Sequence, residues 1–174
     1  YDSHGKKVSY ASKQNTPAGQ WLRQNPHRIN LGRIGFELKK SDGSTVYLED
    51  LENTRQELDL WTGTLNSYFE VDGEPVSVHT RVHPEFDQIS VQVDASNLKP
   101  EQISVLISFP YARGIHVGDP SDWSKPDRHI TEEIQSGSNH VKWQRMMDED
   151  EYFVDLTWVD SGDISTHNLS LIHI

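Results

Sequence analysis

The sequence predicts an all-β fold, an antiparallel β-sandwich with one short helix near the N-terminus. Short segments in which apolar and polar residues alternate recur along the chain. Such alternation is typical of strands with one buried face and one wetted face. Turn-forming residues such as Asp72-Gly73 separate these segments at roughly 8–12 residues, a spacing typical of sandwiches. The 174 residues are enough to bury a core.

The clearest part of the pattern lies between residues 57 and 95, where we predict a meander of three strands. The first strand ends at Val71, and Asp72-Gly73 closes a two-residue hairpin, because both residues tolerate positive φ. Val76, Val78, Thr80 and Val82 mark the apolar face of the second strand, and Pro84 ends it. Residues 88–94 form the third. We expect the remaining strands to extend this meander.

The predicted domains are an N-terminal arm with a short helix, residues 1–31, and an antiparallel β-sandwich domain, residues 32–174. Thr16-Pro17 is a helix start, with Thr as the N-cap and Pro at the first helical position. We expect Trp21 to anchor this helix in the core. Because the chain opens at Tyr1 and closes on an apolar segment, we expect a processed protein or an excised piece of a longer one; the alternative is that disordered ends were trimmed.

The other predicted strands follow in order. Asp42-Gly43 turns the segment that begins at Gly32 back on itself, and the acidic run at residues 148–151 is predicted to be a solvated turn rather than a site. The predicted strand segments outside the meander are 34–38, 45–49, 56–61, 103–109, 128–135, 141–145, 152–158 and 169–174.

Composition narrows the function classes. The chain has 16 Lys and Arg against 27 Asp and Glu, a net charge of −11, which argues against binding nucleic acid or an anionic membrane. There is no cysteine, hence no disulfide framework and no Cys-type zinc site. No apolar run approaches the ~20 residues of a membrane span. We predict no cofactor, and homo-oligomerisation remains open.

The stretch 110–127 has no periodicity and is long for a loop in a compact domain, which favours a functional role. Aromatic rings can cover the C–H faces of sugars, while carboxylates accept hydrogen bonds from hydroxyl groups. The alternative is a proline-rich crossover that Trp123 holds in place. The predicted carbohydrate-binding residues are Tyr111, His116, Asp119, Asp122, Trp123 and His129.

Signals for metal binding and catalysis are weaker. His116, Asp119 and Asp122 stand at i, i+3 and i+6, but this spacing matches no specific metal signature. There is no Gly-x-Ser-x-Gly motif and no Cys nucleophile. We therefore predict no metal ligand. Paired carboxylates can catalyse glycoside hydrolysis, and Asp119 with Asp122 or Glu57 with Asp59 are such pairs in sequence, although adjacency in sequence does not give their separation.

Three segments together resemble a known superfamily. They are residues 25–35 (NPHRINLGRIG), residues 55–63 (RQELDLWTG), and His83-Pro84-Glu85 with residues 107–111 (ISFPY). In order and spacing they resemble the N-terminal β-domain of six-hairpin glycosidases, a superfamily that includes bacterial α-L-fucosidases and maltose phosphorylases. The resemblance covers residues 25–130, and the later strands fit in pattern only.

The resemblance implies a large "supersandwich" whose helical-barrel partner, C-terminal in the same polypeptide, holds the general acid and base. This chain would then be a non-catalytic domain that supports the barrel and shapes a cleft for an oligo- or polysaccharide. By analogy, we expect a periplasmic or secreted enzyme. Two other classes remain open: a free-standing carbohydrate-binding module, and a structural or adhesion domain without a ligand.

Overall fold

The computed structural model describes residues 2–7, 15–23, 29–115 and 118–159, and the backbone of 165–167 and 171–173. It confirms the all-β, antiparallel class. In chain order the elements are β1 (Asp2–Ser3), β2 (Lys6–Lys7), α1 (Pro17–Arg23), β3 (Arg33–Leu38), β4 (Glu52–Asp59), β5 (Thr64–Val71), β6 (Glu74–Val82), β7 (Ile89–Asp94), β8 (Ile103–Ser108), β9 (Tyr111–Ala112), β10 (Ser121–Asp122), β11 (His129–Gly137), β12 (His140–Met147), β13 (Asp150–Thr157), β14 (Ser165–His167) and β15 (Leu171–His173). Three short 3-10 helices accompany them at Leu48–Asp50, Pro100–Gln102 and Pro126–Arg128.

The chain divides into two compact units. Unit 1 comprises Tyr1–Arg33 and Ser108–Ile172, and unit 2 comprises Ile34–Ile107 with His173–Ile174. The predicted boundary between residues 31 and 32 stays a prediction.

Unit 2 contains the predicted meander, an antiparallel sheet in the order β4-β5-β6-β7. Asp72 and Gly73 have φ values of 52° and 78°, as a tight hairpin requires. Val71 and Val76 lie on its two sides and are buried with Val78 and Leu98. β3 and β8 are neighbours in a second sheet, and their residues Phe36, Leu38 and Ile103 pack against this cluster.

The apolar face of the meander is buried only in its half near the Asp72-Gly73 turn. In the other half, Leu58 is 54% exposed, Val82 65% and Ile89 54%. The expectation that the whole face is buried is therefore wrong for this half of the sheet. In unit 2 the apolar side chains of Leu58, Val82 and Ile89 are exposed to solvent.

The predicted return strand at residues 45–49 is also wrong. Residues Lys39 and Thr45 form an isolated bridge, after which the chain enters the 3-10 helix Leu48–Asp50. The carboxylate of Asp50 explains the difference, because it accepts a hydrogen bond from the Tyr47 backbone N–H at 2.8 Å and pairs with Lys40 at 2.7 Å. These contacts stabilise a turn instead of a strand.

Unit 1 contains the antiparallel sheet β11-β12-β13. β12 is its central strand, and its residues alternate between buried and half-buried, as the pattern around Trp143 predicts. The buried set is Val141, Trp143, Arg145 and Met147. Phe109 and Pro110 are buried as well. An arginine thus occupies a core position of the sheet.

Helix α1 begins as predicted. The Thr16 backbone carbonyl accepts from the Gln20 N–H at 2.9 Å, and its hydroxyl accepts from the Gly19 N–H at 3.1 Å. The role predicted for Trp21 is wrong, since this side chain is 72% exposed and its neighbour Leu22 is 74% exposed. A helix of only two turns has too few apolar residues to hold one face in a core.

Candidate functional site

The stretch predicted to be an irregular loop is a short hairpin in unit 1. β9 and β10 pair with Ala112 opposite Ser121 and Tyr111 opposite Asp122, and the Arg113 N–H donates to the Pro120 carbonyl at 2.8 Å. The expectation of a stretch without regular structure is wrong here. Of the six predicted binding residues, His116 lies outside the described residues.

Asp119 joins this hairpin to Arg33, the first residue of β3. Its carboxylate accepts from the Ser121 N–H at 2.9 Å and from the Arg33 guanidinium at 2.8 Å. These hydrogen bonds lower the pKa of Asp119 to about 2, and the bond from the Ser121 backbone N–H has the largest effect. The same guanidinium lies 5.0 Å from the ring centre of Trp123. Both predicted residues therefore already contact Arg33.

Asp122 is similarly engaged. Its carboxylate accepts from the Ser124 hydroxyl at 2.6 Å and pairs with Lys125 at 3.1 Å. These contacts lower the pKa of Asp122 to about 2, and the hydrogen bond from the Ser124 hydroxyl has the largest effect. A general acid needs a raised pKa. Asp119 and Asp122 are therefore ionised at neutral pH and are unsuited to that role, while Trp123 beside them remains 44% exposed.

Tyr111 contacts a residue that the sequence analysis assigned to a solvated turn. Its hydroxyl donates to the Asp148 carboxylate at 2.6 Å, and this bond raises the pKa of Tyr111 and lowers that of Asp148. Arg128 donates to the same carboxylate at 3.2 Å and to the Tyr111 oxygen at 3.3 Å. Asp148 and Glu149 form an exposed turn, as predicted, whereas Asp150 and Glu151 begin β13. Asp148 also fixes Tyr111.

His129 differs from the other predicted residues because it is buried, with 5% of its surface exposed. Its Nδ1 lies 2.8 Å from a terminal nitrogen of Arg145. A guanidinium has only donors, so Nδ1 accepts and the imidazole proton is on Nε2. Burial, and then the charge of Arg145, lowers the pKa of His129. The ring stacks on Tyr111 at a centroid distance of 6.4 Å.

Arg145 is a buried, charged residue with several side-chain contacts that the sequence did not lead us to propose for the site. It is fully buried, donates to the Ile130 carbonyl at 2.9 Å and to the Thr131 hydroxyl, and lies 4.6 Å above the centre of the Phe109 ring. Among the residues that the structure describes, it forms no ion pair with a carboxylate. The alternation of Val141, Trp143 and Arg145 along one strand was the sequence feature that could have predicted the burial of Arg145.

The predicted residues of unit 1 therefore form two groups. In the first group the rings of Tyr111 and His129 stack. The Lys125 ammonium lies 5.3 Å from the centre of the Tyr111 ring and pairs with Asp122, so it links Asp122 to this group. Asp119 and Trp123 form the other group around Arg33. Both groups join charged and aromatic side chains by contacts that stabilise the hairpin, and each carboxylate is already paired.

Unit 2 displays a second feature, at the end of the meander opposite Asp72-Gly73. The β4–β5 and β6–β7 connections lie together there, because Asp59 pairs with Thr64 and Val82 pairs with Ile89. The large side chains at this end are exposed. We call the set Leu60 (86% exposed), Trp61 (97%), Val82 (65%) and Phe86 (66%) the aromatic end.

Both connections of the aromatic end are held by local hydrogen bonds. The Asp59 carboxylate accepts from the Trp61 N–H at 2.9 Å and the Thr62 hydroxyl at 2.7 Å. The imidazole Nδ1 of His83 accepts from the N–H groups of Glu85 and Phe86 at 3.1 Å, and the His83 and Phe86 rings lie 4.7 Å apart. Two ordered turns thus hold apolar side chains in solvent.

The wetted face of the meander has a shallow groove near the Asp72-Gly73 turn. Its volume is about 200 Å³, and Tyr68, Glu70 and Asp94 line it with a hydroxyl group and two carboxylates. Glu70 accepts from the Asn53 amide at 2.8 Å. The groove is open, and it lies at the opposite end of the sheet from the aromatic end.

Two further observations concern the described residues alone. They contain no group of three or more His, Asp or Glu side chains placed to hold a metal ion. They also contain no helix that is long and apolar enough to span a membrane. Comparison of the chain with protein-family models, curated proteins and solved structures found no match in any of the three.

Proposed function

We propose that this chain is a non-catalytic β-domain of a glycoside hydrolase-like enzyme, and that its aromatic end packs against a helical catalytic domain of the same polypeptide. The observation that supports the proposal is the exposure of Trp61 and Leu60 on an ordered turn. A tryptophan side chain buries about 150–250 Å² when a partner covers it. Exposed apolar patches of this kind mark interaction surfaces.

The order of these turns strengthens the proposal. Asp59 and His83 hold the two connections by hydrogen bonds, although neither connection adds a side chain to the core around Val71. A surface that is ordered before binding loses less conformational entropy when a partner covers it. Preformed turns with exposed aromatic residues are therefore suited to docking.

The aromatic end also coincides with part of the resemblance. Residues 55–63 and His83-Pro84-Glu85, two of the segments that resemble six-hairpin glycosidases, form its two connections. The resemblance implies that such a β-domain supports a helical barrel. An exposed apolar surface on these segments is what that role requires.

In this proposal the general acid and base belong to the catalytic domain. The hairpin residues Tyr111, Asp122 and Trp123 would contribute to the wall of a cleft for an oligo- or polysaccharide. The low pKa values of Asp119 and Asp122 agree with accepting hydrogen bonds from sugar hydroxyl groups rather than donating a proton. The parent enzyme is proposed to be periplasmic or secreted.

The test uses a longer protein that includes the sequence downstream of this chain. We expect Leu60→Ala with Trp61→Ala to lower its glycosidase activity and its thermal stability, since the contact between domains is lost. The matched control is Tyr47→Ala with Leu48→Ala, because these side chains are 63% and 83% exposed but lie outside the aromatic end. The control should behave like the wild type.

Two outcomes would contradict the proposal. Equal behaviour of the two double variants would show that the aromatic end has no special partner. Hydrolysis of aryl glycosides by this chain alone, abolished by Asp119→Asn or Asp122→Asn, would show that it is itself catalytic. Glycan binding by the isolated chain that Trp123→Ala abolishes would instead favour a free-standing carbohydrate-binding module.

A further inference from the structure

We infer that β7 is a self-association edge, at which the meander sheet of unit 2 pairs with β7 of a second copy of this chain. β7 is the last strand in the order β4-β5-β6-β7, and no strand lies beyond it in the described part of the chain. Five of its six residues are exposed. Exposed strand edges are templates for pairing.

The hydrogen-bond alternation of the sheet identifies which groups of β7 are free. A two-residue turn at Asp72-Gly73 makes Val71 and Glu74 a hydrogen-bonded pair, so the even-numbered residues of β6 face β5. The odd-numbered residues of β6 therefore bond β7. The bond from the His83 N–H to the Gln88 carbonyl, at 2.8 Å, agrees with this alternation.

It follows that Gln88, Ser90 and Gln92 direct their backbone groups to β6. The backbone N–H and C=O groups of Ile89, Val91 and Val93 point away from the sheet. The same three residues have their side chains on the apolar face, since they oppose Val82, Thr80 and Val78. Free backbone groups and apolar side chains thus belong to one set of residues.

This coincidence makes β7 self-complementary. An antiparallel pair with Val91 opposite Val91 of the second copy places Ile89 opposite Val93. That register joins free donors to free acceptors and continues the apolar face across the two-fold axis. Asp94 then lies opposite Gln88, so no two like charges oppose each other in the pair.

The other edge of the sheet lacks these properties. β4 has four charged residues among its eight, Glu52, Arg55, Glu57 and Asp59, and a register shift at Asn53, whose φ is 49°. Charges and bulges protect edges from pairing. β7 has no charged residue before Asp94. The difference between the two edges favours β7 as the pairing edge, and β4 provides a matched control.

The experiment is sedimentation equilibrium on this chain from about 1 to 200 µM, a range that detects weak dimers. We expect a monomer–dimer equilibrium that strengthens with added salt, because the net charge of −11 on each copy opposes association. Ile89→Lys should weaken dimerisation by about tenfold or more, because it places a charge on the apolar side of the edge.

Leu58→Lys is the control, since Leu58 lies on the same face at the β4 edge and is exposed to the same 54% as Ile89. It should leave dimerisation unchanged. Val91→Pro removes one outward N–H without removing a bond to β6 and should also weaken the dimer; circular dichroism checks that each variant is folded. A wild type that stays monomeric throughout would overturn the inference, as would equal loss in Leu58→Lys. Neither result bears on Trp61, so the proposed function is tested separately.

Discussion

Arg145 in unit 1 and Trp61 in unit 2 are placed against the usual preferences of their side chains. Arg145 is 0% exposed, whereas Trp61 is 97% exposed. The arginine can be buried because its N–H groups donate hydrogen bonds to His129, Ile130 and Thr131, and its guanidinium lies over the ring of Phe109. Among the described residues of its own unit, the exposed tryptophan has no such compensation. The difference indicates that Arg145 stabilises this fold, and we propose that Trp61 instead contacts a partner.

The largest effect is expected at Arg145. Arg145→Ala removes a large buried side chain and leaves the Nδ1 of His129 and the Ile130 carbonyl without their donor. We expect a loss of about 3–5 kcal/mol in the free energy of unfolding. Urea denaturation of the isolated chain measures it.

Lys142→Ala is the control for this prediction, because Lys142 is half-buried on the same strand. It should change the free energy of unfolding by less than about 1 kcal/mol. If Arg145→Ala cost no more than Lys142→Ala, the buried guanidinium would not stabilise unit 1.

A smaller effect is expected from acid. Burial and Arg145 lower the pKa of His129 in the folded chain. The unfolded chain, in which this histidine titrates near ~6.5, therefore binds more protons as the pH falls below that value. Stability present above pH ~6.5 is lost as the pH falls toward the folded pKa.

The melting temperature between pH 8 and pH 5 tests this expectation. His129→Gln keeps an acceptor for Arg145 but does not titrate, so its melting temperature should fall less over this range than that of the wild type. Parallel curves for the two proteins would show that His129 does not couple protonation to folding. Unit 2 has no described counterpart of this buried pair, so the effect sharpens the contrast between the units.

Much of the fold could be predicted from the sequence where local and tertiary preferences agree. Alternation and Asp72-Gly73 predicted β5, β6 and β7, and Thr16-Pro17 predicted the start of α1. The strand at 45–49 was wrong because the Asp50 carboxylate stabilises a local turn. The hairpin β9–β10 was missed because two-residue strands are too short to show a period.

The candidate site was predictable only in part. Loop composition led to Tyr111, Asp122 and Trp123, but their ion pairs and stacking depend on contacts with residues distant in sequence. Arg145 was visible as a member of an apolar face, yet its charge made burial unexpected. Exposure of Trp21 and Trp61 could not be predicted, because a tryptophan in an apolar pattern is ordinarily expected to contribute to the core.

The most direct measurement is hydrogen exchange at residues 58–64 and 82–89, compared between the isolated chain and a longer protein that includes its downstream sequence. If the aromatic end docks on a catalytic domain, amide exchange in both segments slows in the longer protein, while exchange in 45–50 stays the same. Equal exchange rates at the aromatic end in the two proteins would contradict the proposed role.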